Sequence, residues 1–138
     1  MRVNRRRLQR TAQKLLRAEG CPETCEVSVL LTDDAHIAEL NRHYRGTDRP
    51  TDVLAFYTNA GLDTGSPTGE SVVLGDVVIS VETAKRQADE RGKSLDDELD
   101  LLIAHGVLHL LGYTDDTEEA ASRMQEEAAE IIGREAAR

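Results

Sequence analysis

The chain has 138 residues, of which 39% are apolar and 31% charged, and a formal net charge of −9. That is the size and balance of one globular domain, able to bury a core without disulfides. No apolar run reaches the length of a membrane span, and the acidity opposes binding to nucleic acid through net charge alone.

The N-terminus, MRVNRRRLQR, is basic, but no apolar signal core follows it, so a cytoplasmic protein is expected. Charge is unevenly spread. Residues 1–50 carry ten Lys/Arg against seven Asp/Glu, and residues 51–138 carry seven against nineteen. A polyanion should therefore meet the N-terminal part. Residues 4–19 read as a helix, with Leu8, Ala12, Leu15 and Leu16 on one face and Gly20 as its stop. Cys21 and Cys25 have neither C-x-x-C spacing nor a second pair to complete a zinc site, and read as reduced thiols. Residues 25–32, CEVSVLLT, alternate Val27, Val29 and Leu31 inward as a strand.

Asp33 or Asp34 caps a helix over 35–44, with Ile37, Leu40 and Tyr44 inward, and Gly46 and Pro50 break it. A second strand is expected over 51–57, then one long loop over 58–70. A third strand covers 71–80, where Gly75 suggests a bulge or a close backbone approach. A polar helix follows from Val81 to about Arg91. Ser94 caps the next, with Asp96, Asp97 and Glu98 suited to its N-terminal dipole. Its broad apolar coverage through Leu99, Leu102, Ile103, Val107 and Leu110 predicts a central, largely buried helix. The last helix, 117–135, turns Ala121, Met124, Ala128 and Ile131 inward. The whole predicts a single α+β domain over 1–138, with a small mixed sheet of three to four strands and about five helices.

The stretch IAHGVLHLLGYTDD carries the chemistry. His105 and His109 are four residues apart, so both imidazoles project from one helix face and can share an ion. Gly112 can take the positive φ that ends a helix, and the chain then turns back toward the ion. The run H-x-x-x-H-x-x-G-x-x-D has the spacing of the metzincin signature. It places Asp115 third, with Asp116 as the competing candidate, and Gly106 where a protease keeps its Glu. Two ordinary core histidines fit this combination less well than a metal site at the C-terminal end of the central helix.

These residues resemble the YbeY family of bacterial endoribonucleases, the rRNA maturation factors. That family carries H-G-x-L-H-L-x-G-Y-D-H where this chain reads H-G-V-L-H-L-L-G-Y-T-D. LNRHYRGTDRPTDVLAFY, from Leu40 to Tyr57, resembles the family's L-N-x-x-Y-R-x-x-D-x-P-T-D-V-L-S-F segment. LGDVVIS, from Leu74 to Ser80, resembles its L-G-D-I-x-I-S strand. The resemblance implies a metal-dependent, single-strand-preferring endoribonuclease in rRNA maturation, notably at the small-subunit RNA 3′ end, and in ribosome quality control. It implies ribosomal RNA and the small ribosomal subunit as partners, with no membrane and no DNA, and a monomer or weak oligomer. Its metal is usually zinc held by three histidines. Two carry over as His105 and His109, and its functional arginine as Arg45. Two departures stand out. The third His is Asp115 here, and only MRV could supply the strand that members commonly place before the first helix, so the sheet is expected to be short by a strand.

Two imidazoles and a carboxylate are an accepted catalytic zinc set. The added negative charge should make bound water less acidic and move preference toward a harder ion such as Mn²⁺. Arg45 would hold a phosphate, with Arg42 and Arg49 completing a basic patch. Asp52 would pair with one of these arginines or support a ligand. Asp76 would orient a ligating His through its second nitrogen or cap a bulge. His36 and His43 read as bystanders. Two other classes stay open: a non-hydrolytic ribosome-assembly factor whose metal only fixes the fold, and, less favoured, a metalloprotease.

Overall fold

A computed structural model describes residues 3–21, 25–46, 49–57, 72–113 and 117–136. In chain order the described elements are α1 (Arg5–Ala18), β1 (Cys25–Thr32), α2 (Asp34–Arg45), β2 (Val53–Tyr57), β3 (Val72–Ser80), α3 (Val81–Arg91), α4 (Leu95–Leu110) and α5 (Glu118–Ala136). The expected α+β class holds, with three strands and five helices among the described residues. The loop expected over 58–70 lies outside them.

β3 is the central strand, in the order β1-β3-β2. β1 runs parallel to it and β2 antiparallel, with Phe56 opposite Asp76 and Tyr57 opposite Gly75. Glu26 pairs with Val73 and Val27 with Gly75, so Leu74 is the extra residue of a bulge. β2 starts at Val53 because the Asp52 carboxylate accepts the Val53 N–H at 2.8 Å.

The alternation of β3 sorts the core into two layers. Val77 and Ile79 face a large cluster that takes Leu8, Leu15 and Leu16 from α1, Leu99, Ile103, Val107 and Leu108 from α4, and Met124, Ala128 and Ile131 from α5. Val78 faces the other way, with Leu54 and Phe56 of β2 and Ile37 and Leu40 of α2. α4 is central, as its apolar coverage predicts. Leu99, Ile103, Val107 and Leu108 are fully buried.

Two acidic residues near the start of α4 are buried. Glu98 is 0% exposed and pairs with Arg91 and Lys93, each at 3.0 Å. Asp100 accepts from Arg7 Nε and Thr11 Oγ1, both at 2.8 Å. Burial pushes the Asp100 carboxyl above the usual range, against the pull of these partners. Arg7, which shares the basic N-terminal helix, is thus committed to the fold through Asp97 and Asp100.

Asp34 joins three elements. Its carboxylate accepts from Ser80 Oγ, Thr83 Oγ1 and Arg86 Nη2, while Ser80 Oγ caps α3 by accepting the Thr83 N–H. Burial alone would raise its pKa, but these donors outweigh it and hold the group below the usual carboxylate value. A depressed folded-state pKa gives stability that is present above about pH 3.9, the unfolded value, and is lost as pH falls through the folded one. Asp34→Asn should therefore be less stable at pH 7 and lose less stability on acidification. Urea unfolding of both proteins on either side of that pH reads the difference, and parallel acid limbs would remove Asp34 from the account.

Candidate metal centre

The end of α4 is held in place by three local devices. Gly112 has φ 102°, its N–H donates to the His109 carbonyl at 3.1 Å, and the Tyr113 N–H donates to Leu108 at 3.0 Å. That is a Schellman stop, formed where the sequence placed it. The Tyr113 hydroxyl then donates to Glu19 Oε1 at 3.0 Å, tying the turn to the end of α1. Burial and the Glu19 carboxylate push the Tyr113 pKa up, so the phenol stays a donor.

Glycines fix the approach of α4 to the sheet. A Cβ on Gly106 would lie 2.6 Å from Val77 Cγ1, so the helix touches β3 there with no room for a side chain. A Cβ on Gly75 would lie 2.2 Å from the Phe56 carbonyl oxygen and 2.8 Å from Leu110 Cδ2. The close backbone approach read from Gly75 is real: its nearest neighbour is the Phe56 carbonyl of β2, and Leu110, the residue after His109, packs over it next. The helix is thus pinned to the sheet on both sides of His109.

His105 and His109 stand on a different face of α4 from Gly106. Both are half-buried, with ring centroids 5.2 Å apart and planes at 65°. Two imidazoles one turn apart on a clamped helix fit two positions of a transition-metal ion. Asp115 and Asp116, the candidates for the third position, lie outside the described residues. Among the described residues no group of three or more His, Cys, Asp or Glu side chains could hold an ion.

The other expected residues are distributed as follows. Arg42 and Arg45 are exposed in the last turn of α2, which Gly46 closes by donating to Arg42 at 3.1 Å. Arg49 is exposed, and its carbonyl accepts from buried Asn41 Nδ2 at 2.9 Å, so Asn41 holds this turn. Among the described residues no arginine pairs with Asp52. Its carboxylate accepts from Val53 N–H, Thr51 Oγ1 and Gln87 Nε2, and its carbonyl accepts the Ser80 N–H, which makes it a tie between β2 and α3. Asp76 is exposed and sits opposite Phe56, on the α2 side of the sheet. Its neighbour Val77 faces α4, so strand alternation turns Asp76 away from the helix that carries the histidines. His36 shares a 2.8 Å hydrogen bond with Thr32. Cys21 and Cys25 are free thiols.

One residue of this region contradicts the helical pattern. Tyr44, expected inward, is 62% exposed. Its ring lies 5.0 Å from that of Phe56 and 4.7 Å from that of His43.

The family model described as Endoribonuclease YbeY matches residues 1–135. Similar curated proteins, each called Endoribonuclease YbeY, come from several bacteria. That of Pelotomaculum thermopropionicum is 49% identical over 92% of this chain and 83% of its own length. That of Moorella thermoacetica is 49% identical over 91% and 82%, and that of Syntrophus aciditrophicus 40% over 96% and 81%. Among solved structures, the solution structure of TM1509 from Thermotoga maritima superposes with a TM-score of 0.59 at 26% identity, covering 96% of this chain and 83% of that one. Among the described residues no helix is long and apolar enough to cross a membrane.

Proposed function

Since the chain belongs to the YbeY endoribonuclease family, we propose that it is a metal-dependent endoribonuclease that cuts single-stranded RNA, acting in small-subunit rRNA 3′-end maturation and ribosome quality control in the cytoplasm. The observation that carries this reading is the His105–His109 pair on a helix clamped to the sheet, in a chain matched by the family over residues 1–135.

His105 and His109 hold the ion, with Asp115 as third ligand and Asp116 as its competitor. Zinc suits this donor set, and the carboxylate extends tolerance toward Mn²⁺. When bound, the ion supplies Lewis acidity to the phosphodiester. The chain's own contribution is position and charge. Arg45, exposed at the end of α2, presents a planar fork that holds a phosphate through two N–H donors and stabilises charge developing on it. Arg42 and Arg49 extend the cationic surface along the strand. Position 106 supplies no proton acceptor, because glycine occupies it against Val77. The metalloprotease reading loses its base for the same reason.

Chelation and reloading test this reading. Protein stripped of metal should lose cleavage of a single-stranded RNA and regain it with Zn²⁺ or Mn²⁺, and the same sequence in a duplex should be cut far more slowly. Undiminished cleavage by the stripped protein would overturn the metal dependence. A stripped protein that melts early, in a preparation that never cleaves RNA, would favour the assembly factor instead.

A further inference from the structure

Large apolar side chains exposed on this protein are few. Among the described residues they are Leu30 and Tyr44, and Tyr44 is the more exposed, at 62%. Its ring is not loose. Phe56 meets it at 5.0 Å with a 59° tilt, and the His43 ring stands edge-on at 4.7 Å. Phe56 is itself seated on the core formed by Ile37, Leu54 and Val78. The aromatic surface is therefore propped from below by the fold, so little side-chain freedom is lost when a ligand covers it.

The surroundings indicate the ligand. Arg42, His43 and Arg45 occupy the last turn of α2 around Tyr44, in a chain whose net charge is −9. An open aromatic ring on a helix turn that also carries two exposed arginines suits a flat π-system joined to phosphates that run round the helix end, which is an unpaired nucleotide. Asp76, exposed and directly across from Phe56, adds a carboxylate on the same side of the sheet. It repels phosphate, leaving the base as the part of the nucleotide that fits over the ring.

We propose that Tyr44 is a base-stacking platform that selects single-stranded over double-stranded RNA, with Arg42 and Arg45 taking the adjacent phosphates. This rests on the ribonuclease reading for the identity of the strand and adds a specificity-determining residue to it. A base paired in a duplex has its faces covered by neighbours and cannot lie on the ring.

Binding of metal-loaded protein to a short 2′-O-methyl oligouridylate, to an abasic strand of equal length and to a duplex provides the test. The parent contains no Trp and three Tyr, so the quenching by oligouridylate that is lost in Tyr44→Phe, which still binds, is the part that reports stacking on Tyr44. Tyr44→Ala should bind oligouridylate roughly 5- to 150-fold more weakly, with duplex and abasic binding unchanged, and Tyr44→Phe should restore most of the loss. In cleavage assays the Ala variant should raise KM more than it lowers kcat. Its melting temperature should match the parent's, since the side chain is mostly in water. Equal affinity of the parent and Tyr44→Ala for oligouridylate overturns the proposal, as does equal affinity of the parent for the abasic strand. A parent that binds oligouridylate through Tyr44 but cuts no RNA when loaded overturns the ribonuclease reading and leaves the platform standing. A parent without affinity for any single strand overturns both.

Discussion

Gly106→Glu should not reach the folded state, although the substitution recreates the H-E-x-x-H pattern of a metalloprotease. The first atom of any side chain at 106 would lie 2.6 Å from Val77 Cγ1 and 3.0 Å from Cγ2. Val77 is 0% exposed, in the middle of the central strand, and cannot swing away. Alanine there forces overpacking that costs about 1–3 kcal/mol. Glutamate adds a buried carboxylate with no partner, a penalty of several kcal/mol more. Together these take a large share of a typical domain stability of about 5–15 kcal/mol. The Glu variant should be insoluble or lack a cooperative melt. Gly106→Ala should fold with a melting temperature several degrees lower, and Val77→Ala in the same chain should return part of that loss. A Gly106→Glu protein with the parent's melting temperature would mean that α4 does not sit on Val77. The glycine is thus the price of bringing the histidine helix down onto the sheet, and the histidines project from a face that the sheet leaves open.

Local signals read well in this sequence, and distant pairings did not. Caps at Asp33 and Ser94 set the starts of two helices. Gly112 set the end of α4, and the histidine pair was visible from its spacing alone. Each of these is a matter of three to six neighbouring residues. Glu98 reads from the sequence as an acid suited to the helix dipole, yet it is buried, and so is Asp100. Asp100 is buried against Arg7 and Thr11, which lie 93 and 89 residues earlier in the chain. No periodicity carries that information. Tyr44 shares the face of Ile37 by heptad spacing, but in the last turn of α2 its ring lies against Phe56 and stays mostly exposed. Its exposure follows from where β2 lies, which the helix pattern does not contain. Asp76 is a case of the opposite kind. Its strand was legible, but the Leu74 bulge resets which side chains face α4. The face of a residue beyond a bulge cannot be counted from the strand's first residue.

His109→Ala should abolish cleavage while leaving the protein folded. The two effects separate because the backbone of His109 closes the helix whatever side chain position 109 carries. The His109 carbonyl accepts from Gly112, the ring is only half-buried, and alanine is the better helix former. The variant should therefore melt within a few degrees of the stripped parent. The site keeps at most His105 and one carboxylate, too few for an ion that takes three protein ligands. Loss of Lewis-acid stabilisation worth several kcal/mol lowers the rate at least about 10³-fold. A readout independent of activity is metal-linked stability. Added Zn²⁺ should raise the melting temperature of the parent, since an ion that binds only the folded state stabilises it, and should leave that of the variant unmoved. His36→Ala, whose ring bonds Thr32 far from α4 in sequence, should behave as the parent in both assays. Asp115→Ala and Asp116→Ala then identify the third ligand, because only one of them should lose both the ion and the thermal shift. Full occupancy and a parental shift in His109→Ala would break the assignment of the pair. Loss at Asp116 with retention at Asp115 would move the third ligand by one residue and leave the histidines where the helix puts them.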